Sequence, residues 1–200
     1  MAFADDLSTY PLDTNFPDGT TFGIWTSVFA GYGSNTVTEV DGSRAICISP
    51  QASTAPGETH AGLIVGPHYD VDCAFSCGVR TQAQLRTGSD PNPWEVGWVI
   101  WRYADPSHFY YFICKPNGWE LGKVTPEGQQ FPQTGADTTF PIGVRYEVAV
   151  TQHGARMDVS VDGAAIVSYV DENDPYLAGS VGLYVEDAQV FFDALAGHGD

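Results

Sequence analysis

The chain is predicted to be all-β, a two-sheet antiparallel β-sandwich of the jelly-roll kind, on three observations. Short runs rich in Val, Ile, Tyr, Phe and Trp recur from end to end, and Gly, Pro, Asn and Asp punctuate them. No stretch of adequate length carries a helical apolar period with caps. About fourteen strands at this spacing fit two packed sheets. With no repeat and no linker composition, residues 1–200 are read as one domain, long enough to bury its own core.

The most informative stretch is 95–124, EVGWVIWRYADPSHFYYFICKPNGWELGKV, which holds three of the five tryptophans. It divides into strands at 95–104, 108–115 and 118–124, separated by Asp105-Pro106-Ser107 and Pro116-Asn117, both turn chemistry. Loops this short make the strands sequential neighbours. Alternation sends Val96, Trp98, Ile100 and Arg102 to one face and Gly97, Val99, Trp101 and Tyr103 to the other. Both faces are largely apolar, so one is core and the other is either covered too or open as an aromatic surface.

The remaining elements follow in order. A strand at 3–7 leads into a long polar connection through Pro11, Pro17 and Gly19. Strands at 24–29 and 36–40 come next, and Asp41-Gly42 makes a two-residue hairpin turn into 44–49. Residues 50–58 are a loop, 61–65 and 70–80 are strands, and 81–93 is a second long loop. After Val124 a Gly/Pro/Gln-rich stretch runs to Phe140. A second meander occupies 145–152, 156–161 and 164–170, with turns at His153-Gly154 and Asp162-Gly163. Strands at 179–186 and 189–196 form a closing hairpin, and His198 begins a tail.

Twenty-five acidic residues stand against eight basic ones, a formal charge of −17. Such a surface repels phosphate backbones and anionic lipid, which argues against nucleic-acid and membrane partners. No run of about 18 apolar residues is present to span a membrane. The opening MAFADDLSTY lacks a basic segment followed by an apolar one, so no secretion signal is expected in this chain.

Four cysteines, Cys47, Cys73, Cys77 and Cys114, are too few for a disulfide scaffold and lack the pairing of a zinc site. Val71, Cys73, Phe75, Cys77 and Val79 alternate onto one predicted core face. On an extended strand Cys73 and Cys77 lie about 13 Å apart, beyond disulfide reach. One or two bridges to Cys47 or Cys114 remain open, but four buried thiols are favoured.

Several motifs together resemble the concanavalin A-like lectin/glucanase superfamily, the laminin-G-like jelly rolls. They are Phe3-Ala-Asp-Asp-Leu7, the run from Val96 to Tyr103, Phe109-Tyr-Tyr-Phe112 and Trp119-Glu-Leu-Gly-Lys123. Arg145-Tyr-Glu-Val148, Asp158-Val-Ser-Val-Asp-Gly163, Gly179-Ser-Val-Gly-Leu-Tyr184 and Phe192-Asp-Ala-Leu195 continue the series in the order such domains show. The resemblance covers nearly the whole chain and implies two sheets with the terminal strands close together.

That fold hosts glucanases, lyases, lectins and assembly modules, so function has to come from the site. The Glu-x-Asp-x-x-Glu strand motif of the superfamily's glycosidases is absent, as is the Arg-rich strand with Gln-x-His of its lyases. Histidines are scattered in or beside loops, and no nucleophile motif occurs. A non-enzymatic module is therefore expected, with polysaccharide or a cell-surface glycan as partner. Its candidate glycan-binding residues are Trp98, Arg102, Tyr110, Trp119 and Glu120, because sugar faces stack on aromatic rings and polar groups orient hydroxyls. Calcium is the candidate cofactor, on Asp5, Asp6 and Asp193 if the terminal strands pair as the resemblance implies; the loop Asp171-Glu-Asn-Asp-Pro175 is a rival. The fold without an export signal, in a lysine-poor acidic chain, points to a trimmed chain or to an extracellular or virion-surface component with other virion proteins as partners. The alternatives are a glycan-cleaving enzyme and a structural decoration protein without sugar binding.

Overall fold

The computed structural model describes residues 1–199, and among them no segment is helical. Sixteen strands run in chain order. They are β1 (Ala2–Asp5), β2 (Thr21–Phe22), β3 (Trp25–Phe29), β4 (Ser34–Val40), β5 (Ser43–Ser49), β6 (Ala61–Tyr69), β7 (Cys73–Gln84) and β8 (Gly97–Asp105). The second half adds β9 (His108–Lys115), β10 (Gly118–Thr125), β11 (Gly128–Gly135), β12 (Arg145–His153), β13 (Arg156–Val161), β14 (Ala164–Val170), β15 (Gly179–Glu186) and β16 (Ala188–Gly199).

The back sheet has the order β14-β13-β12-β7-β16-β5-β4, with β1 also pairing β16. The front sheet runs β11-β10-β9-β8-β15-β6-β3-β2. All pairings are antiparallel, and the termini meet as expected, Ala2 opposite His198. The predicted two-sheet sandwich is therefore what the chain forms. Its hairpin turns form where the Asp-Gly pairs predicted them, with Asp41, Gly42, Asp162 and Gly163 all left-handed.

Alternation builds the core. Val99 and Trp101 of β8, Tyr110 and Phe112 of β9, and Leu121 of β10 face inward onto Phe75, Cys77, Val148, Val150, Val190 and Phe192 of the back sheet. The alternate set of the front sheet forms a second apolar cluster of its own, Trp98, Ile100, Phe109, Tyr111, Ile113 and Leu63, on the outer face. Both faces of this sheet are thus apolar, as its sequence indicated. All four cysteines are free and buried. Burial pushes the Cys47 thiol up to about 11 and raises Cys73, Cys77 and Cys114 as well, so none is thiolate at neutral pH.

Several boundaries differ from the sequence reading. Residues 70–72 turn rather than extend, leaving Val71 exposed instead of on the core face. The loop expected from Thr81 begins as strand to Gln84, and the tail expected at His198 is strand to Gly199; Asp200 lies outside the described residues. Two strands were not anticipated. The short β2 lies in the polar connection, and β11 (GQQFPQTG) lacks an apolar alternation because it is a front-sheet edge, paired only through β10.

The main correction concerns Arg102. Its φ is +56°, and the β8–β9 register slips between Trp101 and Asp105. This bulge reverses the alternation, so Arg102 points into the sandwich and Tyr103 packs with the outer cluster. Gly179 makes room for it: a Cβ there would lie 2.3 Å from the Arg102 carbonyl carbon. The Arg102 guanidinium is 1% exposed. It donates to Gln152 Oε1 (3.1 Å) across the sandwich, and to the carbonyls of Tyr69 (3.2 Å) and Val71 (3.0 Å). It is a structural tie, not a glycan contact. Arg102→Ala is expected to lower the stability by about 3 kcal/mol, since hydrogen bonds to a charged group and packing are lost together. Urea unfolding checks this; an unchanged midpoint would remove the structural role.

Candidate functional site

The outer face of the front sheet is aromatic at its centre and polar toward the β10–β11 edge. Trp98 packs against Tyr111 (ring centroids 4.4 Å) and Tyr184 (5.0 Å), and its indole N–H donates to the Trp94 carbonyl at 2.9 Å. From that apolar floor two hydroxyls emerge. Tyr111 donates to Glu120 Oε1 (2.6 Å) and receives Gln129 Nε2 (2.5 Å), and Tyr184 donates to Glu186 Oε1 (2.7 Å). Lys115 Nζ holds the other Glu120 oxygen at 2.9 Å.

The partners of these hydroxyls, with Lys115, line a cleft of about 480 Å³. Its floor and walls include Lys115, Asn117, Glu120, Gln129 and Glu186, with Trp94 and Phe131 standing beside them. Trp94 is 44% and Phe131 57% exposed. Two open aromatic rings flank a set of carboxylate, amide and ammonium groups already held in place by one another. Such a cleft offers apolar faces for ring stacking and fixed donors and acceptors for hydroxyls.

An ionic cluster anchors the cleft from below. Arg86, Glu95 and Asp187 are all buried. Arg86 Nε donates to Glu95 Oε1 (2.6 Å) and Nη2 to Asp187 Oδ2 (2.9 Å), while the carbonyls of Ala55 and Glu58 take two further N–H groups at 2.9 Å. Ser53 also donates to Asp187. Each acid precedes or follows a cleft residue: Trp94 adjoins Glu95, and Glu186 adjoins Asp187. Burial pushes the Glu186 carboxyl above its ordinary value; the Tyr184 hydroxyl pulls it back in part, and Asp187 and Glu95 push it further up.

Comparisons with known proteins locate this architecture. No family model matches the chain, and no curated protein matches it. Among solved structures, the carbohydrate-binding module CBM66 from Bacillus subtilis is similar at a TM-score of 0.65 and 14% identity, covering 94% of this chain and 99% of that one. Domain 4 of AbnA, an extracellular arabinanase from Geobacillus stearothermophilus in complex with arabinotriose, gives 0.58 and 13%, covering 99% and 90%. The alginate lyase AlgAT5 gives 0.55 and 11%, covering 82% of each chain. What these likenesses show is the fold, a two-sheet antiparallel β-sandwich. At these identities the likeness speaks to architecture alone.

The residues expected from sequence to bind glycan divide between the two faces. Trp98 and Glu120 lie on the cleft side, Trp98 buried beneath the surface and Glu120 in the lining. Tyr110 and Trp119 face inward with Arg102. Tyr110 donates to Asp171 Oδ2 (2.5 Å), and Trp119 stacks on Phe112 and donates to Asp137 Oδ1 (3.0 Å). Alternation explains this, because Tyr110 faces opposite to Tyr111 and Trp119 opposite to Glu120. Trp94, Lys115, Gln129, Phe131 and Glu186 were missed. Lone aromatic residues inside the polar segments 81–93 and 125–140, or at their margins, were the available signal.

The expected calcium ligands are engaged elsewhere. Asp5 accepts from Trp25 Nε1 (2.9 Å), the Tyr10 hydroxyl (2.8 Å) and the Leu7 amide (2.9 Å). Asp6 caps Ser8 N, and Asp193 pairs with the Arg145 guanidinium. In the rival loop, Lys123 Nζ occupies Asp171 at 2.8 Å. Among the described residues no group of three or more His, Cys, Asp or Glu side chains converges.

The Glu186 environment predicts a pH dependence. Its folded carboxyl titrates above the unfolded one, so the contribution to stability is complete below the ordinary Glu range and is lost as pH rises through the folded value. Glu186→Gln keeps an acceptor for Tyr184 and removes the charge. Its melting temperature should match the wild type at about pH 4 and exceed it at neutral pH. A difference that stays flat with pH would remove the assignment.

Proposed function

We propose that this chain is a non-catalytic carbohydrate-binding module that takes a polysaccharide or cell-surface glycan in the Glu120 cleft. The observation that carries the reading is the pair of exposed rings, Trp94 and Phe131, beside a polar lining fixed by the Tyr111–Glu120–Lys115–Gln129 hydrogen bonds. Solvated large aromatic rings are unfavourable unless something covers them, and pyranose or furanose faces match their width. The lining groups are pre-positioned, which reduces the ordering cost of binding. That structural neighbours include a carbohydrate-binding module and an arabinanase domain bound to arabinotriose supports the same reading.

The test is a polysaccharide array followed by titration, run with and without chelator. Binding is expected to survive chelation, and Trp94→Ala should weaken it by about tenfold, close to 1.4 kcal/mol, at unchanged stability. Binding that Trp94→Ala and Phe131→Ala both leave intact would place the site elsewhere.

A second reading, glycan cleavage, is favoured by one observation. Glu120 and Glu186 both line the cleft, and burial holds Glu186 toward the protonated form that a general acid needs. Incubation of the array's best ligand with the purified chain decides it. Reducing ends that appear with wild type and disappear with Glu186→Gln and Glu120→Gln would make the protein a hydrolase; no release leaves it a binding module.

A further inference from the structure

A second surface feature lies outside the cleft. Tyr32 is 88% exposed, and its φ is +62°, the left-handed region that bulky side chains avoid. The turn cannot relax easily. A Cβ on Gly31 would lie 2.4 Å from the Ala61 carbonyl oxygen, and one on Gly33 2.0 Å from that of Ser49, so close backbone packing pins both flanks. The ring stands edge-on to His60, centroids 5.6 Å apart. Beside it is a cleft of about 500 Å³ whose lining includes Asn15, Asp18 and Phe29. Asp18 is fixed by the Ala30 amide at 2.9 Å and Asn15 by the Asn35 amide at 3.2 Å.

The register places this feature in line with the Glu120 cleft. Glu120 lies opposite Ile113, Ile113 opposite Trp98, Trp98 opposite Tyr184, Tyr184 opposite Leu63 and Leu63 opposite Phe29. This is one straight row over six strands. From Ile113 to Phe29 its members belong to the outer cluster, with Ile113, Trp98 and Leu63 buried in its floor and Tyr184 and Phe29 partly exposed, and Phe29 lines the Tyr32 cleft. The two clefts are also joined at the rim. Glu186 pairs with Ala61, the neighbour of His60, and the His60 amide donates to Asp187 at 3.0 Å. Five inter-strand steps of about 4.8 Å give about 24 Å, the reach of a chain of about five sugars.

Resting on the carbohydrate-binding reading above, we infer that the contact surface runs across the strands from the Glu120 cleft to Tyr32, and that its ligand is an extended, uncharged polysaccharide chain engaged along its length. Tyr32 is the platform for the far end. The net charge of −17 disfavours anionic glycans, and Lys115, the cleft's ammonium, is already paired with Glu120, so an uncharged chain is the class assigned. Spreading contact over several weak stacking platforms raises affinity with chain length, because each further sugar binds without new translational cost.

The experiment is calorimetric titration of the full chain with length ladders of arabino-, xylo- and malto-oligosaccharides, from two to about eight sugars. Wild type is compared with Tyr32→Asn, which removes the ring but tolerates the left-handed backbone, and with Trp94→Ala. Affinity should climb until about five sugars. Tyr32→Asn should then lose about five- to tenfold on the long ligands and nothing on di- and trisaccharides, whereas Trp94→Ala should weaken every length. Affinity that levels off at two or three sugars, or a Tyr32→Asn loss that is equal at all lengths or absent at all lengths, overturns the inference and leaves the Glu120 cleft standing. Failure of every ladder, and of the parent polysaccharides, to bind wild type overturns both.

Discussion

One buried guanidinium holds together the segments beneath Trp94 and Glu186. Arg86, just past the end of β7, ties together the segments around Glu58, Glu95 and Asp187, and three of the surface groups assigned to the ligand lie beside those segments. Trp94 precedes Glu95, Glu186 precedes Asp187, and Tyr32 rests on His60, whose amide Asp187 receives. Burying one cation with two carboxylates is expensive unless the hydrogen bonds are nearly complete. Here the guanidinium uses both faces of its fork on side chains and two more N–H groups on carbonyls. Glu95 Oε2 has no hydrogen-bond partner among the described residues. Burial first, and then Asp187 and Glu95, push the Glu186 carboxyl up, so the anchor also acts on the cleft.

The second organising element sits at the opposite end of β8. Strict alternation would have put Arg102 on the aromatic outer face, within reach of a ligand. A single left-handed residue moves it inside, where its long side chain bridges to Gln152 of the other sheet. Gln152 also receives the Trp101 indole at 2.9 Å and donates to Gly154 and Tyr176, so one amide satisfies groups from several segments. Lys123 does the same for the 171–174 segment while lying over the Tyr176 ring at 4.6 Å. Buried cations on inward faces, each bound by three oxygen acceptors, stiffen a sandwich whose apolar core alone would permit sliding.

Much of the fold was legible because its signals are local. Asp41-Gly42 and Asp162-Gly163 specify their turns, and the aromatic alternation of 95–124 specifies three neighbouring strands. The presence of apolar residues on both faces of β8 and β9 announced that this sheet would carry a cluster on each side. The site was less legible for a matching reason. Aromatic residues that stay exposed sit in segments without periodicity, as Trp94 and Phe131 do, and periodicity weights the buried ones instead. Tyr110 and Trp119 are richer in neighbours than in function. Nor can spacing reveal a bulge: nothing in Trp101-Arg102-Tyr103 shows that the backbone will reverse there. β11 escaped because an edge strand facing solvent on both sides has no apolar alternation to display.

The strand order has a consequence for how the chain comes into being. β16, which follows every other strand described, sits between β7 and β5 in the middle of the back sheet, and β1, which precedes them all, pairs with β16 alone among the described residues. Until β16 is in place, β7 and β5 present two open edges toward a gap, and β1 waits unpaired. Closure therefore depends on contacts distant in sequence, the slow regime for β proteins. A chain cut short before β16 would be a sandwich lacking its keystone, a species prone to pair with other chains through the same two edges.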